Sequence, residues 1–148
     1  MITGLIAPLL TPFDDNLALD QEKFNALAKR LLDTGCSGLA PFGTTGEALS
    51  VSHGERKAAL EGLVAAGIDP SVMIPGTGLC NLPDTVDLCQ HAINLGCAGV
   101  MTLPPFYFKG MSDAGIYDYF VQLIDMVNDN RLKIYPVSYT HLTLPTIA

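Results

Sequence analysis

Short runs of consecutive apolar residues alternate along this chain with longer segments in which apolar positions recur every three or four residues. The first run, Gly4 to Leu10, closes at Thr11-Pro12. Beyond it Phe24, Leu27, Ala28, Leu31 and Leu32 fall at helical spacing, with Asp20 as the capping residue and Gly35 as the stop. Gly38 to Phe42 is the second apolar run. Ser52 with Glu55 three residues later reads as a capping box, opening a helix with Leu60, Leu63 and Val64 on one face. Val72 to Pro75 is a third strand candidate. The helix expected from Asp84 to Leu95 buries Val86, Leu88, Cys89, Ala92 and Ile93 and ends at Gly96. Gly99 to Leu103 is a fourth strand. Ser112 caps a fourth helix through Tyr119, Phe120, Leu123, Ile124 and Val127, and Lys133-Ile134-Tyr135 begins a fifth strand.

Strands apolar on both faces, alternating with helices, predict a parallel sheet of βαβ units in the α/β class. A doubly wound sheet and a (β/α)8 TIM barrel share that pattern. The Gly- and Pro-rich segments follow the carboxyl end of each strand, where a barrel builds its site, and no GxGxxG follows the first strand. The barrel is therefore the expected architecture. With 148 residues the chain falls well short of the ~250 of a complete barrel.

Composition narrows the function. The chain is 49% hydrophobic and 16% charged with a formal net charge of −7 and no basic cluster, which argues against nucleic acid and anionic membranes as partners. Cys36, Cys80, Cys89 and Cys97 show neither a CxxC pair nor metal-ligand spacing with the histidines, so free thiols in a reducing cytosol are expected, and no metal. No basic region precedes the first apolar stretch, which Pro8 and Pro12 interrupt, and no run approaches the ~20 residues that span a bilayer. A cytoplasmic protein is expected.

Two segments carry candidate chemistry. Gly43-Thr44-Thr45-Gly46-Glu47 directly follows the second strand. Its glycines let the backbone turn tightly with successive N–H groups aimed at one spot, and its threonines add hydroxyls that can meet a carboxylate or relay a proton. Such a turn on its own is more often structural. It is not a phosphate-binding P-loop, because no Lys follows the second Gly. Pro104-Pro105-Phe106-Tyr107-Phe108-Lys109 follows the fourth strand. An aromatic cluster beside a Pro-Pro break is usually packing or a subunit contact, although a tyrosine there could carry a proton if it met a hydroxyl network.

Taken in order, Gly4-Leu5-Ile6-Ala7-Pro8 through Thr11-Pro12-Phe13, Gly43-Thr44-Thr45-Gly46-Glu47, Pro75-Gly76-Thr77-Gly78 and Pro105-Phe106-Tyr107 each end a strand. This series resembles the dihydrodipicolinate synthase and N-acetylneuraminate lyase family of class I pyruvate-dependent aldolases, from Met1 to about Tyr135. The resemblance implies a TIM barrel of which the chain holds about the first four βα units and the start of the fifth strand. It implies a lyase that forms a Schiff base between a lysine and pyruvate, without a cofactor. Gly43, Thr44 and Thr45 would bind the keto-acid carboxylate, and Thr44 and Tyr107 would form a proton relay, Tyr107 reaching into a neighbouring subunit's site. The partners implied are pyruvate, an aldehyde and further copies of the chain in a dimer of dimers.

The same resemblance places the Schiff-base lysine on the sixth strand and a second catalytic tyrosine at the end of the fifth. Of the five lysines, Lys23, Lys29 and Lys57 fall on helices, Lys133 opens the fifth strand facing the bottom of the barrel, and Lys109 sits hydrated in a loop; none suits the role. Val137 stands where that tyrosine belongs, and Tyr139 is out of register. Residues 137–146 resemble a one-frame translation of a transposon-end adapter used in sequencing-library preparation. The expected division is therefore residues 1–135 as the amino-terminal half of an aldolase barrel and 136–148 as a non-native tail.

Thr44 favours the branch that condenses pyruvate with aspartate semialdehyde, 4-hydroxy-tetrahydrodipicolinate synthase. The Phe106-Tyr107-Phe108 run departs from that branch and keeps N-acetylneuraminate lyases and keto-deoxy sugar-acid aldolases in view, and a non-catalytic binding member is the reading from another class. His53 matches part of a lysine-feedback set, whereas Arg56 and the Cys80-Asn81 and Asp84 surroundings differ from it. A lone His53 at a helix start reads as a surface or capping residue. The chain alone is expected to be inactive.

Overall fold

The computed structural model describes residues 2–137; the tail from Ser138 onward, with Tyr139, lies outside the described residues. The chain folds as β1 (Ile6–Pro8), α1 (Gln21–Asp33), β2 (Gly38–Ala40), α2 (His53–Ala65), α3 (Leu82–Leu95), β3 (Val100–Thr102), α4 (Asp113–Val127) and β4 (Ile134–Pro136). The caps follow local chemistry. The Asp20 carboxylate accepts from Lys23 N–H, Ser52 and Glu55 close a reciprocal capping box, and Ser112 accepts from Gly115 N–H. Gly96 ends α3 at φ +90°, a left-handed conformation that glycine adopts without a Cβ clash.

Two expectations shift. α3 starts at Leu82, two residues before Asp84, because Asn81 accepts from Asp84 N–H as the cap and Pro83 fits a first turn that needs no donor. Val72 belongs to a 3-10 turn (Pro70–Val72), so the third extended segment begins at Met73. Of the apolar positions that mark α4, Ile124 is 51% exposed, and Leu123 and Val127 carry the burial.

β1 pairs with β2, and β3 with β4, all in parallel. Segment 73–77 joins the two pairs through single parallel bridges, Leu39 with Met73 and Gly76 with Met101. Ile74 N–H donates to Leu39 O at 2.9 Å, Gly76 N–H to Pro41 O at 2.8 Å, and Met101 N–H to Pro75 O at 2.9 Å. The strands thus lie side by side in chain order without reversal. A doubly wound sheet reverses at a switch point; a barrel does not. Successive helices pack neighbour on neighbour, α1 on α2, α2 on α3 and α3 on α4. This is the arrangement of part of a (β/α)8 barrel. The core lies between strands and helices, centred on Leu9, Phe24, Leu39, Leu63, Met73, Cys89 and Val100, each buried. β1 and β4 stand at the two ends of the strand order, each with one unpaired side among the described residues.

Candidate functional site

The strands end at one rim of this arrangement, and the loops leaving them enclose a cavity of about 560 Å3. Gly43, Thr44, Thr45 and Glu47 line it from the loop after β2, Gly76 and Gly78 from the segment after 73–75, Met101 and Leu103 from β3 and just beyond, and Phe106 and Val137 from the far side. The walls are mostly apolar, so the loop after β2 supplies nearly all of the polar character.

The backbone makes that loop from the β2 end onward. Phe42 takes φ +59°, a left-handed conformation costing about 1 kcal/mol for a residue with a Cβ. Its ring is buried against Phe24, with centroids 5.7 Å apart, so packing holds the strained residue in place. Segment 73–77 then passes so close that a Cβ on Gly76 would overlap the Phe42 carbonyl. The turn closes with Gly46 and Ala48 N–H groups both donating to Gly43 O, at 3.1 and 3.3 Å, and Glu47 N–H donating to Thr44 O at 3.1 Å. Glu47 is itself left-handed, φ +51°. From outside, the buried Thr11 hydroxyl donates to Gly46 O at 2.6 Å. The buried Arg56 of α2 donates to Ala48 O and, at 3.4 Å, to Val51 O. Burial pulls its guanidinium below the ordinary value.

The residues expected to bind a carboxylate, Gly43, Thr44 and Thr45, therefore sit together on the cavity wall. Tyr107 does not join them within one chain. It is 75% exposed, with its ring edge-on to Phe108 at 5.7 Å. Val137 lies on the cavity wall, its N–H donating to Thr102 O at 3.0 Å. No lysine lines the cavity among the described residues. Lys23 pairs with Asp20 at 2.6 Å and Lys57 with Asp87 at 2.9 Å, Lys29 and Lys109 are exposed, and Lys133 borders a second cavity of about 660 Å3 with Arg131 and Cys97. That second cavity gathers residues that precede the strands, at the opposite end. Burial pushes the Cys97 thiol up to about 12, which keeps it protonated and unreactive.

Behind the cavity floor lies a polar cluster that periodicity did not single out. Thr77 and Thr102 share a hydroxyl hydrogen bond at 2.8 Å, and the Cys89 thiol donates to Thr77 at 3.3 Å. All three are buried. Thr85 donates to Asn81 O at 2.9 Å and accepts from the Tyr119 hydroxyl at 3.3 Å, and burial raises both the Cys89 thiol and the Tyr119 phenol. The sequence marked Thr77 within Pro75-Gly76-Thr77-Gly78, Cys89 on the buried side of α3 and Tyr119 on α4, but not that they meet. His53, read as a surface or capping residue, opens α2 with Nε2 2.9 Å from Asp87. Among the described residues no group of three or more His, Cys, Asp or Glu could hold a metal ion. No helix there is long and apolar enough to cross a membrane.

Known proteins share this fold. The family model described as the Dihydrodipicolinate synthetase family matches residues 1–147. The 4-hydroxy-tetrahydrodipicolinate synthase of Brucella suis biovar 1 is 33% identical over 86% of this chain and 43% of its own length. The crystal structure of dihydrodipicolinate synthase from Agrobacterium tumefaciens is 36% identical with a TM-score of 0.87, covering 90% of this chain and 46% of that one. Proteus mirabilis N-acetylneuraminate lyase is 29% identical with a TM-score of 0.78, over 90% of this chain and 44% of that one. The chain spans about half the length of the relatives it matches. By its match to the family model over residues 1–147, the chain belongs to the dihydrodipicolinate synthetase family.

Proposed function

We propose that this chain is the pyruvate-binding half of a Schiff-base lyase, comprising the first four βα units and the start of the fifth strand of a (β/α)8 barrel. The observation that carries the reading is the cavity wall made by Gly43, Thr44 and Thr45, a polar strip on an otherwise apolar surface at the carboxyl end of the strands. Preorganised N–H and hydroxyl donors suit the carboxylate of a 2-keto acid, because they solvate the anion without having to reorganise. Thr44 and Tyr107 form the proton relay in this reading. The exposure of Tyr107 suits a group completed by a second subunit, in a cytoplasmic homo-oligomer of dimers.

The covalent step needs an amine that none of the described residues brings to the cavity. The whole protein is read as a 4-hydroxy-tetrahydrodipicolinate synthase, condensing pyruvate with aspartate semialdehyde, and the 148-residue chain alone as inactive. The Phe106-Tyr107-Phe108 run supports a second reading, an N-acetylneuraminate lyase or keto-deoxy sugar-acid aldolase. Residues 136–148 are read as a non-native tail; recovery of the same tail from genomic DNA by long reads, followed by a stop codon, would exclude this.

Restoring a carboxyl-terminal half and treating the product with pyruvate and borohydride tests the central claim. A stable adduct of pyruvate mass is expected. Its absence leaves only a binding role. Turnover with aspartate semialdehyde rather than a sugar aldehyde then separates the two enzymatic readings, and turnover by the 148-residue chain alone would refute the half-site assignment.

A further inference from the structure

Arg56 lies in the first turn of α2 and is 3% exposed. Taking a guanidinium out of water is costly unless donors and charge are matched. Among the described residues no Asp or Glu forms an ion pair with Arg56. Its partners are two backbone carbonyls, Ala48 O in the first residue of a short 3-10 turn, Ala48–Ser50, and Val51 O just past its end. An apolar side chain of similar size would fill the same volume at lower desolvation cost. What the guanidinium adds is a rigid fork of donors, which suits two carbonyls a fixed distance apart.

That turn is the return limb of loop 43–50. No side chain caps it, because Glu47 at its start makes no capping hydrogen bond and is left-handed. Its first residue is tied to the cavity wall through Ala48 N–H, which donates to Gly43 O at 3.3 Å. Displacement of Ala48 therefore moves the carbonyl that also anchors Gly46, and with it Thr44 and Thr45. Thr11 holds the opposite side of the loop through Gly46 O. Arg56 itself does not line the cavity.

We infer that Arg56 is a positioning residue that fixes loop 43–50, and through it the spacing of Thr44 and Thr45 for a carboxylate. The ligand part of this inference rests on the function proposed above; the positioning part does not. Arg56 touches no substrate in this account and acts through Ala48 and Gly43.

The test compares the 148-residue chain with its Arg56→Met and Arg56→Lys variants by residue-resolved hydrogen exchange, and by titration of pyruvate followed through its methyl resonance. In Arg56→Met the amides of Gly46, Glu47, Ala48, Ser50 and Val51 are expected to exchange about tenfold faster, with those of α1 and α3 unchanged, given what hydrogen bonds to a charged group contribute. Pyruvate should bind about tenfold more weakly, by the same reasoning. Arg56→Lys, which keeps the charge and loses the fork, should fall between wild type and Arg56→Met in both readouts.

Unchanged loop exchange in Arg56→Met overturns the inference, and so does acceleration spread evenly over every helix. If Arg56→Met does not fold, Arg56→Lys decides. Acceleration confined to loop 43–50 supports the role, whereas uniform or absent acceleration refutes it. A wild-type chain that ignores pyruvate while its loop still loosens in the variants overturns the ligand part of the inference and leaves the positioning role standing.

Discussion

Loops 43–50 and 104–110 both leave the carboxyl end of a strand, and both carry residues expected to do chemistry, yet they are built in opposite ways. Loop 43–50 is held from three sides: the Phe42 ring on Phe24, the Thr11 hydroxyl on Gly46 O, and Arg56 on Ala48 O and Val51 O. Loop 104–110 turns Tyr107 and Phe108 outward, 75% and 56% exposed, with their rings against each other. The first loop carries its own supports and so presents a defined wall within one chain. The second leaves an aromatic pair that none of the described residues covers, so its rings stand against each other and solvent.

The sharpest way to break this contrast is to remove the packing beneath the first loop. Phe24→Ala should cost about 3–5 kcal/mol, the range for a buried aromatic, and release Phe42 from its left-handed conformation. Urea denaturation with circular dichroism measures it, and a loss under half that size would mean that Phe42 is held by something else. Gly76→Ala comes next. Its methyl must displace the Phe42 carbonyl, for about 1–3 kcal/mol by analogy with overpacked cores. A variant melting at the wild-type temperature would show that the close approach of segment 73–77 is soft.

Thr11→Val keeps the shape and removes one hydroxyl, leaving Gly46 O with a lost partner and about 1 kcal/mol less stability. Exchange at the Gly46 amide should rise with it. The smallest effects belong to the second loop, where Tyr107→Phe and Phe108→Ala should each shift the stability of the single chain by no more than about 0.5 kcal/mol. A larger loss would show that loop 104–110 packs on this chain after all. On the proposed relay role, a protein with its carboxyl-terminal half restored should lose turnover in Tyr107→Phe while keeping its pyruvate affinity, which a steady-state comparison of kcat and KM reads directly.

The same contrast appears among the helices. α3 buries Thr85, Val86, Leu88, Cys89, Ala92 and Ile93 between its neighbours, whereas α4 buries only Leu123 and Val127 and leaves Tyr117, Val121 and Ile124 exposed. Periodicity marked Leu123, Ile124 and Val127 of α4 alike but could not tell which of them finds a partner. Spacing reports that a face is apolar, not that something lies against it.

Much of the local structure was written in residues within four positions of one another. Asp20, Ser52 with Glu55, Ser112 and Gly96 all act where they were expected, because a cap is a contact between near neighbours and needs nothing from the rest of the chain. The Gly43-Thr44-Thr45 turn was legible for a similar reason, since glycines next to hydroxyls after a strand constrain the backbone on the spot. Arg56 was visible only as a departure from a feedback set, and its burial against Ala48 and Val51 could not be read from helical spacing.

What the sequence by itself determined was most of the elements, their caps and the tight Gly- and Thr-rich turn after β2. Only the tertiary structure decided that the strands lie in unreversed order, that Gly76 must pass under Phe42, that Thr77, Thr102 and Cys89 meet behind the cavity, and that Tyr107 faces away from it. The reason is one of range. Caps and turns are settled by hydrogen bonds spanning a few residues, whereas the floor of the cavity is set by groups such as Thr77 and Thr102, twenty-five positions apart, which meet only once the parallel strands have paired.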